Sequence, residues 1–63
     1  MKIGDLVGFP LEEINVGLVA GFDLEDDPLV LWIISPEKYH RWVTKSYEYK
    51  EELIILSGVE GGV

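Results

Sequence analysis

Leu29-Val30-Leu31-Trp32-Ile33-Ile34 is the longest apolar run in the chain, and its reading decides the fold. It has the length of a strand, it is rich in β-branched and aromatic side chains, and prolines flank it on both sides. It therefore reads as a strand. Successive side chains of a strand point to opposite faces. Val30, Trp32 and Ile34 make one face and Leu29, Leu31 and Ile33 the other, and both are wholly apolar.

Outward from this run, Asp23-Leu24-Glu25-Asp26-Asp27-Pro28 is a polar turn. Val16 to Phe22 is the strand before it. Gly17 and Gly21 inside that strand signal bulges, bends or close backbone approach. Ile3 to Phe9 reads as the first strand. Gly4-Asp5 turns the chain into it, and Pro10, lacking an N–H, ends it. Residues 11–15 form a short loop.

After Ile34 two readings stand. Ser35-Pro36-Glu37 has the composition of a helix start, with a serine cap, proline at the first position and an acid in the first turn. Tyr39, Trp42, Val43, Ser46, Tyr49 and Leu53 continue near helical spacing, which supports a helix over 36–50. Yet Tyr39, Arg41, Val43 and Lys45 alternate with His40, Trp42, Thr44 and Ser46, which supports a strand over 39–45. Periodicity leaves both open. Tyr49 to Glu52 suits a single helical turn, and Leu53 to Leu56 a last strand. Residues 58–63, rich in glycine, read as a loose tail behind a single domain over 1–57.

The chain has 63 residues, 12 acids, 5 bases and no cysteine, with a net charge of -7. A domain this small buries only about 60% of the surface of its unfolded chain. Small domains lean on disulfides, metals or oligomerisation. Without cysteine, and with His40 the lone histidine, neither a disulfide nor a thiolate or histidine metal site is expected; oligomerisation remains. Nucleic-acid binding needs cationic surface, and an anionic membrane surface repels an acidic protein. Neither partner is expected. A basic or apolar protein fits better. No apolar run reaches the ~20 residues of a membrane span, and the N-terminus does not read as a signal peptide. The expected location is the cytoplasm, of a cell or of an infected host.

In order and spacing these segments resemble small SH3-like β-barrels of the kind encoded by phages. Lys2-Ile3-Gly4-Asp5-Leu6-Val7 resembles their K-x-G-D-h-V start, and Gly17-Leu18-Val19 their G-h-V second strand. Val30-Leu31-Trp32 resembles the V-h-W third strand. Trp42-Val43 and Glu52-Leu53-Ile54-Ile55-Leu56 resemble the closing segment. The likeness covers about residues 2–57. It implies an all-β barrel of about five antiparallel strands. Function in such proteins is generally unknown, and the barrel superfamily also contains KOW, Tudor and ubiquitin-ligase-associated domains. One departure is the link Ser35-Pro36-Glu37-Lys38, which lacks the usual glycine.

The resemblance makes Trp32 the core tryptophan, which places Leu29, Leu31 and Ile33 outside. With Ile54 and Leu56 of the last strand they are the candidate oligomer interface, since exposed apolar side chains of this number invite association. A second candidate is a peptide-binding groove of Tyr39, Trp42, Tyr47, Glu48 and Tyr49, where aromatic faces and an acid attract cations; core filling is the plainer reading of these aromatics. Asp23, Glu25, Asp26 and Asp27 fail the calcium-loop pattern, because Pro28 stands where that loop requires glycine. A solvated turn is expected. No phosphate-binding loop is present, and nothing in the pattern unites His40 with Ser35, Ser46 or Ser57. The expectation is a non-enzymatic protein without cofactor, acting through protein contacts and self-association.

Overall fold

The computed structural model describes residues 1–11, 14–39 and 42–58. Five strands form one antiparallel sheet: β1 (Leu6–Gly8), β2 (Val16–Phe22), β3 (Pro28–Ile34), β4 (Lys45–Tyr47) and β5 (Ile54–Ser57). A 3-10 turn over Lys50–Glu52 precedes β5. The strand order is β4-β3-β2-β1-β5. The fold is all-β and SH3-like, as the sequence implies. Among the described residues no helix is long and apolar enough to cross a membrane.

The core is small. Val7, Phe9, Val19, Val30, Trp32 and Leu53 are its buried apolar members, with Tyr39 packed against them. Val7, Val19 and Val30 lie at the centre and are fully buried. Gly17 lets β2 approach β3 here. A Cβ at Gly17 would fall 2.1 Å from Val30 Cγ1 and 2.9 Å from Trp32 Cε3. The register of β2 against β3 shifts at Val16/Gly17 and again at Val19/Gly21. Both glycines therefore sit at bulges, which bend and twist the sheet enough to wrap its core face.

β2 has the bounds expected, and β3 gains only Pro28. β1 is shorter than Ile3–Phe9. Gly4 has φ 97, a left-handed conformation natural to glycine. The Asp5 N–H donates to Lys2 O at 3.0 Å and the Lys2 N–H to Asp5 Oδ2 at 2.7 Å, so residues 2–5 form a closed turn. β5 starts one residue later than expected, because the Leu53 N–H donates to Lys50 O and Leu53 turns into the core.

The stretch after β3 follows neither reading. Among the described residues of 36–50 there is no α-helix, and the fourth strand is Lys45–Tyr47 rather than 39–45. Ser35-Pro36-Glu37 opens one turn, closed by Tyr39 N–H to Pro36 O at 3.0 Å. Ser35 Oγ then donates to Val43 O at 3.2 Å, and the Trp32 N–H to Thr44 O at 2.8 Å, which draws the returning chain alongside β3. His40 and Arg41 lie outside the described residues, as do Glu12, Glu13 and residues 59–63 of the expected tail.

Candidate functional site

The outer face of the sheet is built from the same strands as the core. Leu6 pairs with Leu18 and Leu18 with Leu31, giving a row of three leucines across β1, β2 and β3. Cross-strand neighbours on one face touch and behave as one surface. Leu6, Leu18 and Leu29 are half-buried, whereas Leu31 is 38% and Ile33 66% exposed. Leu29 stands opposite Tyr47 of β4, itself 57% exposed. Val30 and Trp32 face the core, as expected. Ile34 does not: it is 45% exposed. It pairs with Val16 beyond the Gly17 bulge, and the paired register of β4 reaches only Leu29 to Leu31. In β5, Ile54 and Leu56 are exposed, and so is Ile55 between them.

The aromatic and acidic candidates divide between two places. On the core side, Phe9 stacks on Trp32 with centroids 5.6 Å apart, and Trp32 meets Tyr39 at 6.3 Å. Lys38 Nζ lies 3.9 Å from the Phe9 ring centroid, a cation–π contact that caps this stack. Trp32 Nε1 donates to Ser46 Oγ at 2.9 Å, and Ser46 Oγ donates to Glu48 Oε2 at 2.6 Å. The Tyr39 hydroxyl donates to the same Glu48 oxygen. Glu48 is 6% exposed, so this carboxylate is buried, and its Oε2 accepts both hydroxyls. Burial, and then the hydrogen bond to Glu48, pushes the Tyr39 hydroxyl up to about 12. These groups form a structural polar network that ties β4 and the β3–β4 loop to the core.

On the other side, Tyr47, Glu48 and Tyr49 join Asp23, Glu25 and Asp27 around a cleft of about 310 Å³. Three of the five predicted groove residues therefore line one concavity. Tyr39 is turned away to Trp32. Trp42, 76% exposed in the β3–β4 loop, is not among the lining residues. The acids of the turn hold the turn itself together. Asp23 Oδ1 accepts the N–H of Glu25 at 2.8 Å and of Asp27 at 3.0 Å, and Asp27 Oδ1 accepts the Lys50 N–H at 3.2 Å. Among the described residues no three His, Cys, Asp or Glu side chains converge as a metal site needs.

Sequence reasoning missed Ser46 and Leu18. A buried tryptophan N–H requires an acceptor, and Ser46 is that acceptor; only the β3–β4 register brings it opposite Val30. Leu18 was legible only as strand residue, and its place beside Leu31 depends on the glycine bulges. No family model matches this chain, and no curated protein or solved structure matches it.

Proposed function

We propose that this protein is a non-enzymatic interaction module that acts through protein contacts and self-associates. One observation carries the reading: the apolar outer sheet surface running from Leu6 through Leu18 to Leu31, with Ile33 projecting beside it at 66% exposure. Fully burying one such side chain stabilises by roughly 1.5–3 kcal/mol. With a core of six buried apolar residues among those described, the domain gains proportionately much from covering this surface. A second copy is the simplest cover, and the resemblance to small phage-encoded barrels is compatible with an assembly role. Light scattering after size separation tests it. The expected mass exceeds 7.1 kDa and rises with concentration. Leu31→Glu should return the mass to that of the single chain without loss of fold. A single-chain mass at millimolar concentration would remove the self-association reading.

A second reading is favoured by the cleft of Asp23, Glu25, Asp27, Tyr47, Glu48 and Tyr49. It suits a basic peptide, whose cations the acids attract and the two exposed tyrosine rings stack against. NMR shift mapping with a lysine- and arginine-containing peptide separates the two. Shifts confined to Leu31 and Ile33 would count against the cleft.

A further inference from the structure

Gly8 of β1 pairs with Ile54 of β5 in antiparallel register. The chain leaving β1 therefore runs beside the chain entering β5. Pro10 lacks an N–H and takes the first of these segments out of the ladder. A concavity of about 350 Å³ opens there, lined by Phe9, Pro10, Leu11, Glu51 and Glu52. It lies at the small end of the ~300–1,000 Å³ range of ligand sites, a volume suited to one long side chain.

The two halves of its wall differ in chemistry, and each is held in place. The apolar half starts from Phe9, whose main chain is pinned by buried Asn15. The Phe9 N–H donates to Asn15 Oδ1, and Phe9 O accepts from Asn15 Nδ2 at 3.4 Å. The Phe9 ring itself is engaged by Trp32 and Lys38. Pro10 and Leu11, both exposed and Leu11 to 97%, are the apolar surface left over. The acidic half is the 3-10 turn, closed by the Glu52 N–H donating to Tyr49 O at 3.0 Å, with Glu51 and Glu52 both exposed.

The charge of the wall names the occupant. Lys50, next to Glu51 in sequence, turns its Nζ to Glu25 O at 3.3 Å, and Lys38 sets its Nζ 3.9 Å from the Phe9 ring centroid. Both ammoniums are thus engaged. In sequence Glu12 and Glu13 follow Leu11, and the chain as a whole carries a net -7, a field that draws cationic partners. An occupant that matches both halves brings a cation for the acids and a nonpolar stem for Pro10 and Leu11. Lysine and arginine both have stems that lie along apolar surface. Only arginine adds a planar fork that meets carboxylates in pairs.

We propose that this concavity receives an arginine side chain presented by a basic partner protein. The proposal shares with the readings above only the action through protein contacts. It uses neither the Leu31 face nor the Tyr47 cleft, and it fails separately from both.

The probe is a blocked peptide, Gly-Ala-Arg-Ala-Gly, titrated into isotope-labelled protein and followed by NMR. Amides of Phe9, Leu11, Glu51 and Glu52 should shift together and saturate at millimolar peptide. The same peptide with lysine for arginine should bind severalfold more weakly. With citrulline, uncharged but of similar shape, binding should be lost. Glu51→Gln and Glu52→Gln should each weaken binding of the arginine peptide about two- to fivefold. Both positions are exposed, so the fold is kept, and the rest of the amide spectrum verifies it. A lysine or citrulline peptide that binds as well as the arginine one overturns the site, as does indifference to both glutamine variants. Shifts confined to residues 23–27 and 47–49 overturn it too, while leaving the basic-peptide cleft standing. No shift in either place counts against both. Tighter binding by Arg41→Gln would assign the acids to the chain's own arginine and overturn the proposal.

Discussion

β4 and β5 lie at opposite sides of the same sheet, and they are held and protected by different means. β4 is three residues long and opens on Lys45, a charged residue set opposite Leu31. A lysine on an outer strand discourages strand addition, because pairing would desolvate its ammonium. Immediately after β4, Glu48 gathers the hydroxyls of Tyr39 and Ser46 and reaches Trp32 through the latter. β5 has no charge in its four residues. Leu53, just before it, is its buried anchor. One side of the sheet is fixed by directed polar contacts and shielded by charge; the other is fixed by apolar burial and left open.

The largest effect should come from the apolar anchor. Leu53→Ala removes a core side chain and should destabilise by about 2–5 kcal/mol, read from urea unfolding. Glu48→Ala should follow at about 2–3 kcal/mol, since it leaves the Tyr39 and Ser46 hydroxyls without their acceptor. If Glu48→Ala proved silent, the polar description of β4 would be wrong. Next comes pH. The folded Tyr39 hydroxyl titrates at about 12, above its ordinary value of 10.0, so its protonated form is the one folding favours. Its stabilisation is complete below pH 10 and is lost as pH rises from 10 through 12. Tyr39→Phe should lower stability near neutrality by about 1 kcal/mol and flatten that alkaline decline. Lys38→Met should cost about 0.5–1 kcal/mol through the Phe9 contact. Lys45→Ile should move stability least, within about 0.5 kcal/mol. Its expected effect is on association, because it gives β4 the uncharged character of β5. Unchanged light scattering would show that Lys45 does not shield that side.

The strands most legible in the sequence were those whose side chains decide their own state. Val16–Phe22 and the run to Ile34 combine β-branched residues with clear flanking breakers, and both formed within one residue of the reading. The outward placement of Leu31 and Ile33 followed from Trp32 being inside. The region 36–50 was not legible, because its turn is set at a distance. Trp32, Ser46 and Glu48 fix it through hydrogen bonds between residues up to 14 apart in sequence, which neither helical nor strand spacing encodes. The proposed groove separated for the same reason. Tyr39 and Tyr49 look equivalent in sequence, yet a core neighbour for one and the acidic turn for the other place them on different sides. Ile34 fell outside the core because it lies beyond the bulge at Val16/Gly17 between β2 and β3, an effect of register rather than of residue type.

The two tryptophans give this chain a built-in optical contrast. Trp32 is enclosed beside Tyr39, with its indole nitrogen bonded to Ser46, while Trp42 stands largely in water. With Trp42→Phe, the remaining emission comes from one indole whose hydrogen-bond donor is tied to β4. Loosening of β4 alone should then shift that emission toward longer wavelength before the sheet as a whole opens. Release of β5 from β1 should leave it unmoved until Leu53 quits the core. A single wavelength scan along a urea gradient would thus report which side of the sheet lets go first.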